Sequence, residues 1–224
     1  MNDVFIETGA YIGGGIQAAL DLGFKEIHSI ELAEKYYNIC KEKFKEYPQV
    51  HLHLGDSGVV LPEIMKNIKT GITFWFDGHY SSCDTVCATD YCSPIQLELD
   101  AVKTYYHPDH VVLIDDMKDF TQESIDWNNQ VNKKCGYITK TALEESFKNI
   151  YTDYKLYYYG PACVCYAKNI SKNVIVLAGT RVITYISGFI LIIFLPRYLG
   201  AENYGKLFLG ISIVSMASIF IDFG

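Results

Sequence analysis

Val4 to Gly15 reads VFIETGAYIGGG, an apolar run of strand length that breaks into a turn carrying four glycines. A strand that opens through such a turn into a helix brings backbone without Cβ and the free N–H groups of a helix start to one place. Taken alone, the turn reads equally as a ligand cradle or as a tight strand-to-helix connection. What surrounds it decides the fold.

Outward from the turn, apolar runs of strand length alternate with segments of helical period, the pattern of a parallel sheet covered by helices. Strands are expected at 4–8, 26–32, 49–56, 72–78 and 110–116, and helices at 14–24, 34–47, 61–68 and 94–106. The first helix turns Ile16, Ala19, Leu20 and Phe24 inward, and the second Tyr36, Ile39, Cys40 and Phe44. Pro62 is placed in the first turn of the third helix, where its missing N–H costs nothing. The continuous apolar run ITFWFDG, 72–78, suits a central strand buried on both faces. After a polar helical region and a helix at 141–150 come two last strands, YKLYYYG (154–160) and ACVCYAK (162–168). Their tight connection through Gly160 and Pro161 reads as a hairpin. The predicted fold class is α/β, a parallel sheet closed by an antiparallel hairpin.

Charge divides the 224 residues into two domains. Residues 1–168 carry 15 Lys, no Arg and 24 acidic side chains, a net of −9, whereas residues 169–224 net +2. No cluster of Lys and Arg is available to neutralise phosphates, which excludes a nucleic-acid partner and favours small-molecule chemistry. The N-terminus opens on polar and acidic residues rather than on a signal peptide, so the first domain is expected in the cytoplasm. In that compartment the seven cysteines are expected as reduced thiols, with Cys163 and Cys165 serving as packing residues.

Ligands of open α/β sheets bind beyond the carboxyl ends of the strands, where this sequence places polar residues. They are Glu7 with Gly9, Gly13, Gly14 and Gly15; Glu31; Asp56 with Ser57; Asp77 with His79; and Asp115 with Asp116. Glu31, about 20 residues beyond the turn, is placed to accept both hydroxyls of a ribose. Asp56 then stands where an adenine amino group would be received. Asp77, His79, Asp115 and Asp116 belong to adjacent central strands. An aspartate group of this kind, Asp77 with Asp115 and Asp116, could hold Mg²⁺ through oxygen ligands. His79, with Asp77 beside it, could instead take a proton from a sugar hydroxyl. A third reading has Asp115 and Asp116 capping a helix and His79 fixing a loop. His79, Cys83, Cys87 and Cys92 have a spacing compatible with zinc but lack paired C-x₂-C knuckles, and read better as a substrate-facing loop.

The segments ETGAYIGGG, SIEL, LGDS, FDGHYSSCDT, SPIQLEL and VVLIDDM, with the closing hairpin, resemble class I S-adenosylmethionine-dependent methyltransferases. Within that superfamily they are similar to the small members of bacterial surface-polysaccharide gene clusters. The resemblance covers residues 3–168 and implies a Rossmann-like methyltransferase sheet that uses S-adenosylmethionine. By that resemblance Glu7, Gly9, Gly13 and Gly15 cradle the methionine part of the cofactor, Glu31 holds the ribose, and Asp56 with Ser57 takes the adenine side. The expected reaction is O-methylation of a sugar or glycolipid acceptor, with His79 and Asp77, from their place at the strand tips, as the candidate catalytic residues. The glycines are spaced Gly-x-x-x-Gly-x-Gly, so a longer turn is expected, and the sequence starts at the first strand without a leading helix.

Residues 173–195, NVIVLAGTRVITYISGFILIIFL, hold one charge and match the roughly 20 residues needed to cross a bilayer. A second apolar stretch, 207–221, follows the polar loop PRYLGAENYGK, so 169–224 is expected to form a transmembrane helical hairpin. This segment resembles the start of polysaccharide flippases. Membrane lipid and other polysaccharide-assembly proteins are therefore expected partners, with the protein at the inner membrane. Arg181 is costly in lipid unless a protein or water-filled interior receives it. The alternative is a truncated or fused flippase whose methyltransferase-like domain is non-catalytic.

Overall fold

Seven strands form one sheet in the order β3-β2-β1-β4-β5-β7-β6. In chain order they are β1 (Val4–Thr8), β2 (Glu26–Glu31), β3 (Val50–Leu54), β4 (Ile72–Phe76), β5 (Val111–Ile114), β6 (Tyr154–Tyr159) and β7 (Ala162–Ala167). In this computed structural model the described residues are 2–79, 87–88, 91–132, 136–160 and 162–167. β1 pairs in parallel with β2 and β4, β2 with β3, and β4 with β5. β7 runs antiparallel to both β5 and β6, the closing hairpin expected from the sequence.

The helices are α1 (Gly14–Asp21), α2 (Glu34–Lys43), α3 (Ser57–Met65), α4 (Ile95–Thr104), α5 (Gln122–Asn132) and α6 (Lys140–Ile150), with a 3₁₀ turn at Met117–Asp119. They cover two faces of the sheet. On one, Phe5, Ile16, Ala19, Phe24, Ile27, Cys40 and Phe44 form a core under α1 and α2. On the other, Ile6, Ile30, Leu61, Phe74, Leu99, Val112, Leu143 and Phe147 join the sheet to α3, α4 and α6. Alternation along β1 sends Phe5 to the first core and Val4 and Ile6 to the second, so every residue of that strand is buried.

Two local expectations give way. The third helix begins four residues early, because the Asp56 side chain accepts a hydrogen bond from the N–H of Gly58 at 2.9 Å and so caps α3 before Ser57. Pro62 thus lies inside the helix rather than in its first turn. Ile39 does not turn inward: it is 41% exposed, and Tyr36, Cys40 and Phe44 alone fill that face.

By internal contacts the chain divides into Met1–Ile170 and Ser171–Gly224. Both expected membrane stretches, 173–195 and 207–221, and the charge Arg181 lie outside the described residues. Among the described residues no helix is long and apolar enough to cross a membrane.

Candidate active site

The turn after β1 is fixed by close approaches that exclude side chains. Gly9 has φ +85°, and a Cβ there would stand 2.3 Å from the carbonyl oxygen of Asp77, so the loops after β1 and β4 touch through backbone. Gly13, with φ +82°, would meet the Phe44 ring. At Gly15 a Cβ would meet the Glu7 carboxylate, whereas at Gly14 nothing lies within 4 Å. Gly14 is thus the glycine whose open side faces no protein. Tyr11, between them, takes φ +46° and lays its exposed ring against Tyr36, with centroids 4.5 Å apart.

Glu7 is buried beneath this turn. Burial pushes its carboxyl up to about 8; the Ser29 hydroxyl beside it lowers that value in part, and Asp77 and Glu31 raise it further. Even so, neither Glu7 Oε2 nor Ser29 Oγ completes a hydrogen bond; on the opposite face of β1, Thr8 Oγ1 lacks one too. Ser29 is the cross-strand partner of Glu7, so two unsatisfied polar atoms share one face at the tips of β1 and β2. Buried polar groups nearly always find partners, which makes the Glu7–Ser29 pair a candidate contact for a polar ligand.

Glu31 and Asp56 are engaged within the chain. Glu31 accepts from the N–H of Tyr11 through Oε2 at 2.9 Å and from the N–H of Ala33 through Oε1 at 2.7 Å. It therefore ties the glycine turn to the start of α2, and each oxygen keeps one lone pair. Asp56 caps α3 with Oδ1 and accepts the Tyr91 hydroxyl on Oδ2 at 2.7 Å. Ser57 turns inward and donates to Glu98 Oε1 at 2.7 Å.

Glu98 is a site residue that the sequence reading missed. It lies on the inner face of α4 between Ile95 and Leu99, 1% exposed. Burial pushes its carboxyl up to about 7, against the pull of Ser57 and the nearby Thr8 hydroxyl and with a further push from Asp56 and Asp77. An acid at the inward position of an otherwise apolar helix face was the signal available in SPIQLEL. Gly78 packs over it, since a Cβ there would stand 3.0 Å from Thr8 Oγ1 and 3.3 Å from Glu98 Oε1.

At the tips of β4 and β5, His79 is held between two carboxylates. Nε2 is 3.0 Å from Asp116 Oδ2, and Nδ1 is 3.5 Å from Asp77 Oδ1. The ring is further walled by Tyr137, edge-on at 5.9 Å. Burial raises Asp77 to about 6, against the pull of His79 and with the help of Asp115 and Asp116. Burial alone would raise Asp116 as well, but hydrogen bonds from His79 and Lys118 outweigh it and hold that carboxyl below its ordinary value. Of the two His79 contacts, that of Nε2 with Asp116 is the shorter and is a hydrogen bond.

The metal ligands expected from the sequence, Asp77, Asp115 and Asp116, are not the set that comes together. Asp115 Oδ1 is turned onto the N–H of Asp116 at 2.7 Å, and Asp116 itself takes a left-handed backbone at φ +50°. Asp77 stands on the other side of His79. Among the described residues, the group with converging ligand atoms is His79, Asp116 and Asp119, with these atoms all within 4.8 Å of one another. One nitrogen and two carboxylates suit a borderline or hard divalent ion.

The zinc reading of His79, Cys83, Cys87 and Cys92 is overturned in part. Cys87 and Cys92 form a disulfide, so neither offers a thiolate, and the expectation of reduced thiols fails for this pair. Their Cα atoms stand 4.4 Å apart across five residues, close enough to be bridged. Cys83 lies outside the described residues. Cys163 and Cys165 are buried free thiols in the core.

No curated protein compared with this chain matches it. A family model described as "Polysaccharide biosynthesis protein" matches residues 170–224. Among solved structures, the chain is similar to the SAH-bound methyltransferase PaMTH1 of Podospora anserina, with 15% identity, 75% of this chain and 72% of that one covered, and a TM-score of 0.45. It is similar to the methyltransferase domain of bacterial CtHen1-CN at 11% identity, covering 73% of this chain and 88% of that one, TM-score 0.44. It is also similar to the MycE methyltransferase of the mycinamycin pathway, in complex with Mg and SAH, at 12% identity, covering 75% of this chain but 46% of that one, TM-score 0.48.

Proposed function

We propose that residues 1–168 form an S-adenosylmethionine-dependent methyltransferase that O-methylates a sugar or glycolipid intermediate of surface-polysaccharide biosynthesis. The observation that carries this reading is the glycine turn at the carboxyl end of β1, lying over the buried Glu7, whose Oε2 has no hydrogen-bond partner. The strand order with an antiparallel β7 agrees with it.

The residues present fit the cofactor. The methionine part would lie against Gly9, Gly13, Gly14 and Gly15 above Glu7, with the remaining lone pairs of Glu31 toward the ribose and Asp56 with Ser57 toward the adenine. Bound there, S-adenosylmethionine supplies an electrophilic methyl group. His79 takes the proton of the acceptor hydroxyl at Nδ1, while Asp116, accepting at Nε2, stabilises the imidazolium. Asp77 keeps the ring in place from the other side. Mg²⁺ at Asp116 and Asp119 would compete with this role for His79, so metal dependence and base catalysis are alternatives at one residue. The match of residues 170–224 to a polysaccharide-biosynthesis family supports the acceptor class, and the proposed location is the inner membrane with the enzymatic domain on its cytoplasmic side.

One observation favours a second reading. Both oxygens of Glu31 and both of Asp56 already accept hydrogen bonds from the chain itself, as in a domain that keeps the architecture without the chemistry. Titration calorimetry of the full chain with S-adenosylmethionine separates the two. Heat of binding, with methyl transfer to a nucleotide sugar that falls about 10²–10⁴-fold in His79→Ala at unchanged cofactor affinity, is the expected outcome. Absence of binding leaves the non-catalytic reading.

A further inference from the structure

Away from this site, β2 and β3 carry three of the six histidines. His28 is the cross-strand partner of His51, and His53 follows two residues on, so strand alternation sets all three rings on one face. The His28 ring lies 5.0 Å from that of His51 and 5.3 Å from that of His53. His28 Nδ1 stands 3.0 Å from His53 Nε2, while His28 Nε2 is 2.9 Å from Glu26 Oε1. His28 and His53 border a cavity of about 550 Å³ that Glu26, Glu63, Asn67 and Lys69 also help to line.

Two imidazoles facing each other through ring nitrogens are unusual without a shared proton or a shared ion. Glu26 accepts from His28 Nε2–H, which leaves the lone pair of His28 Nδ1 aimed at His53. A carboxylate on the far nitrogen of a histidine is the partner that orients metal-bound imidazoles and raises their basicity. Two nitrogens bound to one tetrahedral zinc at 2.0–2.1 Å stand about 3.3 Å apart, close to the separation seen. Burial holds His28 below the ordinary imidazole value, and burial with the neighbouring rings brings His53 to about 4.

From this arrangement we infer that His28, His51 and His53 form a binding site for a divalent transition ion of the zinc type, with Glu26 as the positioning residue for His28. The ion takes the place of the proton between His28 and His53, and that proton moves to His53 Nδ1 as the ring changes tautomer. His51 is exposed, with its ring 5.0 Å from that of His28, and a rotation of its side chain would bring it to the third ligand position. A fourth position stays open to water or to an anionic group in the cavity. This site shares no residue with the His79 group.

Cobalt, which reports tetrahedral nitrogen ligation by its visible absorption, is the probe. The metal-free full-length chain is titrated with Co²⁺, followed by Zn²⁺. One tight Co²⁺ per chain is expected, with tetrahedral bands that Zn²⁺ removes and that persist in Asp116→Asn. His28→Ala and His53→Ala abolish the bands, and Glu26→Gln weakens binding about ten- to a hundredfold. His51→Ala, at an exposed position that does not risk the fold, loses affinity as well. Absence of the bands in the wild-type chain overturns the inference, as does unchanged Co²⁺ affinity in His51→Ala or in the pair His28→Ala and His53→Ala.

Discussion

Glu98 shows how one residue links packing to chemistry. Its carboxyl, pushed by burial from 4.5 to about 7, is more readily protonated in the folded chain than in the unfolded one. The stability this contributes is full below pH 4.5 and is lost as pH rises through 7. Glu98→Gln keeps a hydrogen-bond acceptor for Ser57 but cannot ionise. Compared with wild type by urea denaturation, the variant should gain stability steadily from pH 5 to pH 8, by on the order of 2 kcal/mol. A difference independent of pH would show that Glu98 is not the group titrating. The glycines make a second contrast at this scale. Gly9→Ala forces a Cβ into the Asp77 carbonyl at a positive φ and should cost at least about 1–3 kcal/mol. A Cβ at Gly14 meets no protein atom, so the melting temperature of Gly14→Ala should stay near wild type while binding of S-adenosylmethionine is weakened. Glycine content alone does not separate these two positions, because the neighbours that tell them apart, Asp77 for one and open space for the other, come from outside the turn.

At the scale of elements, α3 shows a side chain overriding a propensity argument. Proline suggested a helix start at 61, yet Asp56 caps the helix before Ser57 and positions Ser57 against Glu98. Asp56→Ala removes the cap and the acceptor of the Tyr91 hydroxyl, so a loss of about 1–2 kcal/mol is expected in thermal unfolding. Asp56→Asn, which can still cap, should recover most of it. LGDS contains the capping residue and its followers, so this start was legible in the sequence. Engagement of Tyr91 was not, since it joins residues 35 apart. The 3₁₀ turn at Met117–Asp119 is a similar case: it draws Asp119 toward His79 and leaves Asp115 turned away. Consecutive aspartates in a sequence do not reveal which of them the backbone will aim at a neighbour.

For the molecule as a whole, the change in composition near residue 169 separates an acidic α/β unit from an apolar tail. If that tail anchors the protein, the full chain should float with liposomes in a density gradient, and the chain lacking 169–224 should remain at the bottom; equal behaviour would remove the anchor. Alternating strand and helix periods, the buried run ITFWF and the tight last connection were enough to fix a parallel sheet closed by a hairpin, because those signals are local and repeat along the chain. The sequence by itself also determined which polar residues end the strands. Only the tertiary structure decided what each of them does. Strand order brings β1 between β2 and β4, so Glu31 closes on the glycine turn, Glu98 slides beneath Gly78, and His79 falls between Asp77 and Asp116. The same pairing of β2 with β3 sets His28 beside His51 and His53, a grouping that residues more than 20 positions apart show only once the strands lie side by side.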